Sequence, residues 1–203
     1  MRSKKTKDLT LFAFFLAVEL ILLFTPLGFL RIGPLSATLM HIPVIIAAVT
    51  MGLKYGIALG LIFGLCSVWN ATFALGITSF CFSPFITIGG ISGNYASLII
   101  AIVPRICIGL TAYGIFALCQ KHKVNEAAGV IASALGGAIV NTVLVLGMIY
   151  LFFGAAYAQA TGVSYDALLA VLMGVVFTNG IAEALIAAAV SVMVYKALKP
   201  ILK

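Results

Sequence analysis

Residues Glu126 to Phe153 read EAAGVIASALGGAIVNTVLVLGMIYLFF, and no charged side chain follows the opening glutamate. About 20 apolar residues suffice to carry a helix across the hydrocarbon of a bilayer. Apolar residues occupy every face of this stretch, so it matches neither a half-buried soluble helix nor the two-residue alternation of a barrel strand. The remainder of the chain agrees with it. Of 203 residues, 64% are hydrophobic and 8% charged, where a soluble domain carries about 25% charged residues. The expected fold is an all-α integral membrane protein, a single domain over residues 1–203, with enough apolar sequence for roughly six transmembrane helices.

Outward from that stretch, helix 4 is expected over about Tyr95 to Leu118, stopping at Gln120, Lys121, His122 and Lys123. Helix 6 takes about Ala167 to Lys196, after a loop from Gly154 to Asp166. Upstream, the basic residues Arg2, Lys4, Lys5 and Lys7 lead into helix 1, from Leu9 to about Thr25. Glu19 inside it, and the lack of an A-x-A site, argue against a removable signal peptide. A Gly/Pro-rich connection from Pro26 to Pro34 precedes helix 2 (Ala37 to Leu53), and a turn at Lys54 and Tyr55 precedes helix 3 (Gly56 to Val68). The uncharged segment from Trp69 to Gly93 is broken by glycines, serines and Pro84, and part of it reads as a re-entrant or interfacial helix.

Six crossings return both termini to one side. All the Lys and Arg residues except Arg31 and Arg105 then fall on that side, which the positive-inside rule makes cytoplasmic. The net charge of +7 therefore expresses topology; with no basic stripe and no aromatic interleaving, nucleic acid is not an expected partner. The long outer connections are where a ligand is expected to arrive. The chain contains no G-x-x-x-x-G-K-[ST] loop, no H-E-x-x-H and no Ser/His/Asp set, so it is expected to bind no cofactor and to catalyse no reaction. Cys66, Cys81, Cys107 and Cys119 form no C-x-x-C pair and read as small core residues, and His41 as a core histidine.

Ionisable residues inside spans cost about 2.5–3.5 kcal/mol each on insertion scales and need a partner or a watery cavity. Glu19, Arg105 and Glu183 are such residues. Arg105 follows Pro104, and two readings of it stand. Its guanidinium takes the carboxylate or phosphate of a ligand in bidentate fashion, or it pairs with Glu183 or Glu19 and ties helices together. Asn141 and Asn179 similarly serve either as interhelical glue or as ligand contacts beside Arg105. Trp69 and Asn70, at the outer end of helix 3, read either as an interfacial anchor or as a lid over ligand. Ala13 and Ala17 lie one turn apart on helix 1, and Gly52, Gly56, Gly60 and Gly64 repeat that spacing, the pattern of close helix packing.

These features, with the strings Ile32-Gly33-Pro34-Leu35-Ser36, Leu39-Met40-His41-Ile42-Pro43-Val44-Ile45-Ile46 and Gly60-Leu61-Ile62-Phe63-Gly64-Leu65, resemble the substrate-binding S component of energy-coupling factor (ECF) vitamin transporters. The resemblance implies a prokaryotic plasma-membrane protein that captures a vitamin from outside. It also implies a transmembrane coupling subunit, contacted through Ala13 and Ala17, and two partner ATPases that use the ATP. Pro104-Arg105, Asn141-Thr142 and Asn179-Gly180-x-x-Glu183 look most like the pantothenate carriers, which makes Arg105, Asn141, Asn179, Glu183, Trp69 and Asn70 the expected substrate-binding residues. Glu183 would repel an anion unless protonated or engaged elsewhere, so a carrier of vitamin B6 or hydroxymethylpyrimidine stays open. So do a stand-alone proton-coupled transporter using Glu19 or Glu183, and a purely structural subunit.

Overall fold

The computed structural model describes residues 4–32 and 35–202; Arg2, Gly33, Pro34 and Lys203 lie outside them. Helix α1 (Lys4–Leu23) turns Phe15 and Glu19 inward, four residues apart, and leaves Ala13, Phe14, Ala17 and Leu20 exposed. An antiparallel hairpin follows, β1 (Phe29–Ile32) against β2 (Leu35–Thr38), with Phe29 opposite Thr38. Helix 2 was expected to begin at Ala37, but that residue pairs with Leu30 across the hairpin. Helix α2 (His41–Met51) is accordingly only 11 residues, and every residue from His41 to Val49 is buried. At 1.5 Å per residue it is about 17 Å long, well short of the ~30 Å hydrocarbon layer.

The corner after α2 lies at Gly52, with φ +102°, and not at the expected Lys54 and Tyr55; a side chain at Gly52 would be strained in that backbone. Helix α3 (Leu53–Phe73) therefore starts earlier and ends later than the sequence suggests. Gly52 packs against nothing, whereas the other three glycines of the series close α3 onto its neighbours. A Cβ on Gly56 would stand 2.6 Å from that of Ala48, one on Gly60 would run into the Arg105 carbonyl oxygen, and one on Gly64 would lie 2.9 Å from the Ile102 Cα.

From Ala74 to Asn94 there is no α-helix, so the expected re-entrant or interfacial helix is absent among the described residues. That segment holds one 3-10 turn (Ser79–Cys81) and a two-stranded hairpin, β3 (Thr87–Ile88) and β4 (Ile91–Ser92). Gly89 and Gly90, both at positive φ, form the tight turn that such a hairpin requires. The segment is tethered: Phe80 and Cys81 are fully buried, and the Ser97 hydroxyl donates to the Phe80 carbonyl at 2.7 Å.

Helix α4 (Tyr95–Lys121) opens on a reciprocal cap. Asn94 accepts from the Ala96 amide at 2.8 Å, and the Ser97 hydroxyl accepts from the Asn94 amide at 3.1 Å. Helix α5 (Glu126–Thr161) is 36 residues, continuing past Phe153 through most of the expected loop. Ala155, Ala156, Ala158 and Ala160 are strong helix formers, and the helix stops only at Gly162, in the left-handed conformation (φ +70°). The last span runs without a break through α6 (Tyr165–Val175), a π turn (Val176–Gly180) and α7 (Ile181–Leu202).

Four helical stretches among the described residues are long and apolar enough to cross a membrane: Leu53–Phe73, Tyr95–Lys121, Glu126–Thr161 and Tyr165–Pro200. The molecule is thus an all-α membrane protein with two small hairpins added. Its interior has two apolar clusters. One surrounds α2 and includes Phe15, Leu59, Phe63 and Ile108; the other joins Phe80 and Ile100 to Ile149, Phe153 and Leu168. A cavity lies between them.

Candidate functional site

The cavity measures about 720 Å³, within the range of small-molecule sites. Its walls come from the end of α3, the middles of α4 and α5, the first hairpin, the π turn, the start of α7, and the 74–88 segment. Arg105, Asn141, Asn179, Glu183 and Asn70 all line it, so five of the six expected binding residues converge on one space.

Arg105 is placed by its own helix. Proline has no amide hydrogen, so Pro104 cannot donate to the carbonyl of Ile100, four residues before it. The Arg105 guanidinium supplies the missing donor, Nη1 reaching the Ile100 oxygen at 2.9 Å. Phe63 lies 5.2 Å and Phe82 5.4 Å from the guanidinium carbon, both in cation–π contact. One corner is tied and rings attend the charge, while Nε is buried without a hydrogen-bond partner. An unpaired buried donor on a cation is costly unless something arrives to accept from it.

Neither acid pairs with it. Among the described residues, the one ion pair joins Lys199 to Glu126, far along the chain from the cavity residues. The reading of Arg105 as an internal tie to Glu19 or Glu183 is therefore corrected. Glu19 is fully buried on the inner face of α1, both carboxyl oxygens lack partners, and it does not line the cavity. Glu183 lines it, but its Oε1 accepts the backbone N–H of Thr38 at 3.1 Å. The Thr38 hydroxyl in turn donates to the Gly28 carbonyl at 2.8 Å and accepts from the Met40 amide at 3.2 Å.

Asn141 is 6% exposed, and its Oδ1 has no partner. That oxygen is not spent as glue between helices. Asn179 sits on the π turn, where the widened helical winding brings it and Gly180 to the cavity wall, Gly180 facing Thr142. Trp69 does not line the cavity. It lies one residue, and so about 100° of helix, around α3 from Asn70; it is half exposed, and its ring rests on Phe73 at 4.3 Å. Sequence reasoning passed over Phe82, Ser67 and Thr38, which also line the space. Nothing distinguishes Phe82 among 14 phenylalanines, and Thr38 is singled out only by its long-range bond to Glu183.

A half-open, mostly apolar cavity walled by a few polar side chains, set within a helical membrane bundle, suits a ligand-binding subunit of a transporter. The chain belongs to the family described as ECF transporter, substrate-specific component, whose model matches residues 7–195. It is a multi-pass protein of a prokaryotic cell membrane, and its family's role is transport. The pantothenic acid transporter PanT of Lactococcus lactis subsp. cremoris is 35% identical over 91% of this chain and 96% of that protein. The pantothenate transporter PanT of Leuconostoc mesenteroides subsp. mesenteroides is 29% identical over 90% of this chain and 87% of that protein.

Proposed function

We propose that this chain captures pantothenate as the S component of an ATP-driven ECF importer. The observation that carries the reading is the Arg105 guanidinium: buried at the cavity wall, attended by two aromatic rings, tied at Nη1 and paired with no acid. Pantothenate offers one carboxylate for that guanidinium, and amide and hydroxyl groups for Asn141, Asn179 and Asn70. The names of the two relatives agree with this choice. Because Arg105 is not neutralised internally, the cavity favours an anion over a neutral or cationic heterocycle such as vitamin B6.

The topology proposed with it is a single domain over residues 1–203 with six crossings and both termini cytoplasmic, α1 and the α2 region supplying the crossings beyond the four long apolar stretches. Ala13 and Ala17 are exposed on α1 and suit close approach of a coupling-subunit helix. ATP is consumed by two partner ATPases, and the chain itself binds no cofactor.

Titration calorimetry of the purified chain with pantothenate tests the reading. Arg105→Ala is expected to weaken binding about a hundredfold or more, the ~3 kcal/mol of a buried charge left without its partner, while the protein stays folded. Unchanged affinity in the variant would remove pantothenate's carboxylate from Arg105.

A further inference from the structure

Glu183 presents a physical problem that the proposed function does not resolve. A carboxylate and a guanidinium line one cavity, yet they do not form an ion pair. Inside a low-dielectric bundle such a pair is strongly attractive, so something must hold the carboxylate elsewhere. The groups around Glu183 show what does. Its Oε1 accepts from the Thr38 amide, and this donor is held in place by the two bonds of the Thr38 hydroxyl, to the Gly28 carbonyl and from the Met40 amide. Thr38 lies at the end of β2, opposite Phe29, three residues before α2, whose residues His41 to Val49 are all buried. The donor is therefore held by bonds to two segments of chain, at Gly28 and at Met40.

We propose that the Thr38 backbone N–H holds Glu183 away from Arg105, so that the guanidinium stays open to the carboxylate of an incoming ligand. Glu183 is then a positioning residue, acting on ligand through Arg105. Its acceptor oxygen matters at one distance, and its charge is a hazard that the Thr38 bond contains. The inference rests on the Arg105 reading given above.

Two substitutions separate acceptor from charge. Glu183→Gln keeps an oxygen at the reach of the Thr38 amide and removes the charge. Glu183→Asp keeps the charge and withdraws it from Thr38 by one methylene, leaving it loose beside Arg105. Calorimetry with pantothenate on the full chain is expected to show Glu183→Gln binding at least about tenfold tighter than Glu183→Asp. Equal affinities, or the reverse order, overturn the proposal, because a residue that reads ligand by charge would favour Asp. Thr38→Pro provides the complementary cycle by removing the donor. Its penalty is expected to be about tenfold with Glu183 present and under about threefold in the Glu183→Gln background. A penalty of the same size in both backgrounds overturns the proposal as well, and the Gln/Asp order decides if the proline variant does not fold. Arg105→Ala run alongside keeps the two failures apart. If it leaves affinity intact, the pantothenate reading fails; if it abolishes binding while the Gln/Asp order is reversed, only the Thr38 restraint fails.

Discussion

The seam between α3 and α4 and the seam between α5 and the π turn are built from the same apolar stock, and they differ in what interrupts it. Along α3 the interruptions are Gly56, Gly60 and Gly64, and the backbones close until a single added methyl would strike the facing chain. Along α5 and the last span they are Asn141, Thr142, Asn179 and Glu183, together with a wider helical turn, and the helices part around a cavity. The closed seam serves the open one. Gly60 meets the carbonyl of Arg105 itself, so a close backbone contact fixes the residue whose guanidinium stands at the cavity wall.

That contrast is open to attack at several points. The largest effect is expected from Gly60→Val, which forces two backbones apart and should cost about 3 kcal/mol, the upper end of the usual range for overpacking. It should be seen as a lowered melting temperature in detergent and as lost pantothenate binding together. A stable variant with intact binding would show that the closed seam does not position Arg105. Pro104→Ala should act on the site and spare the fold. A restored amide competes for the Ile100 carbonyl and frees the guanidinium, so affinity is expected to fall about tenfold, or ~1.4 kcal/mol, with no loss of thermal stability. The smallest effect is expected at Trp69, whose ring faces away from the cavity onto Phe73. Trp69→Ala should change pantothenate affinity by less than about twofold. A larger loss in calorimetry would place this ring against ligand after all.

How legible these regions were in the sequence follows from the same contrast. Arg105, Asn141, Asn179 and Glu183 were found because polar side chains are rare inside long apolar stretches, and the stretches themselves gave α4 and the start of α5 closely. Four glycines were read as a packing face from their spacing alone, and three of them form one, while Gly52 turns the corner before α3. What was missed depends on contacts remote in the chain. Residues 35–38 are a strand only because residues 29–32 lie beside them. Phe82 lines the cavity only because its segment is tethered through Phe80 to Ser97. The end of α5 was misplaced for a local reason. Gly154, Tyr157 and Gln159 resemble loop residues in composition, yet the alanines among them sustain the helix until a glycine at positive φ ends it.

The length of α5 has a consequence for how the solute arrives. At 1.5 Å per residue its 36 residues extend about 54 Å. Even at a lean of about 40°, the steep limit for membrane helices, it rises some 40 Å against ~30 Å of lipid tails. Part of this rod must therefore stand in the headgroup layer or beyond. Its Gly154–Thr161 end, where Gln159 is exposed, has the composition for that position. A polar nutrient could then be met at the level of the phosphates and handed inward along protein, without first dissolving in oil.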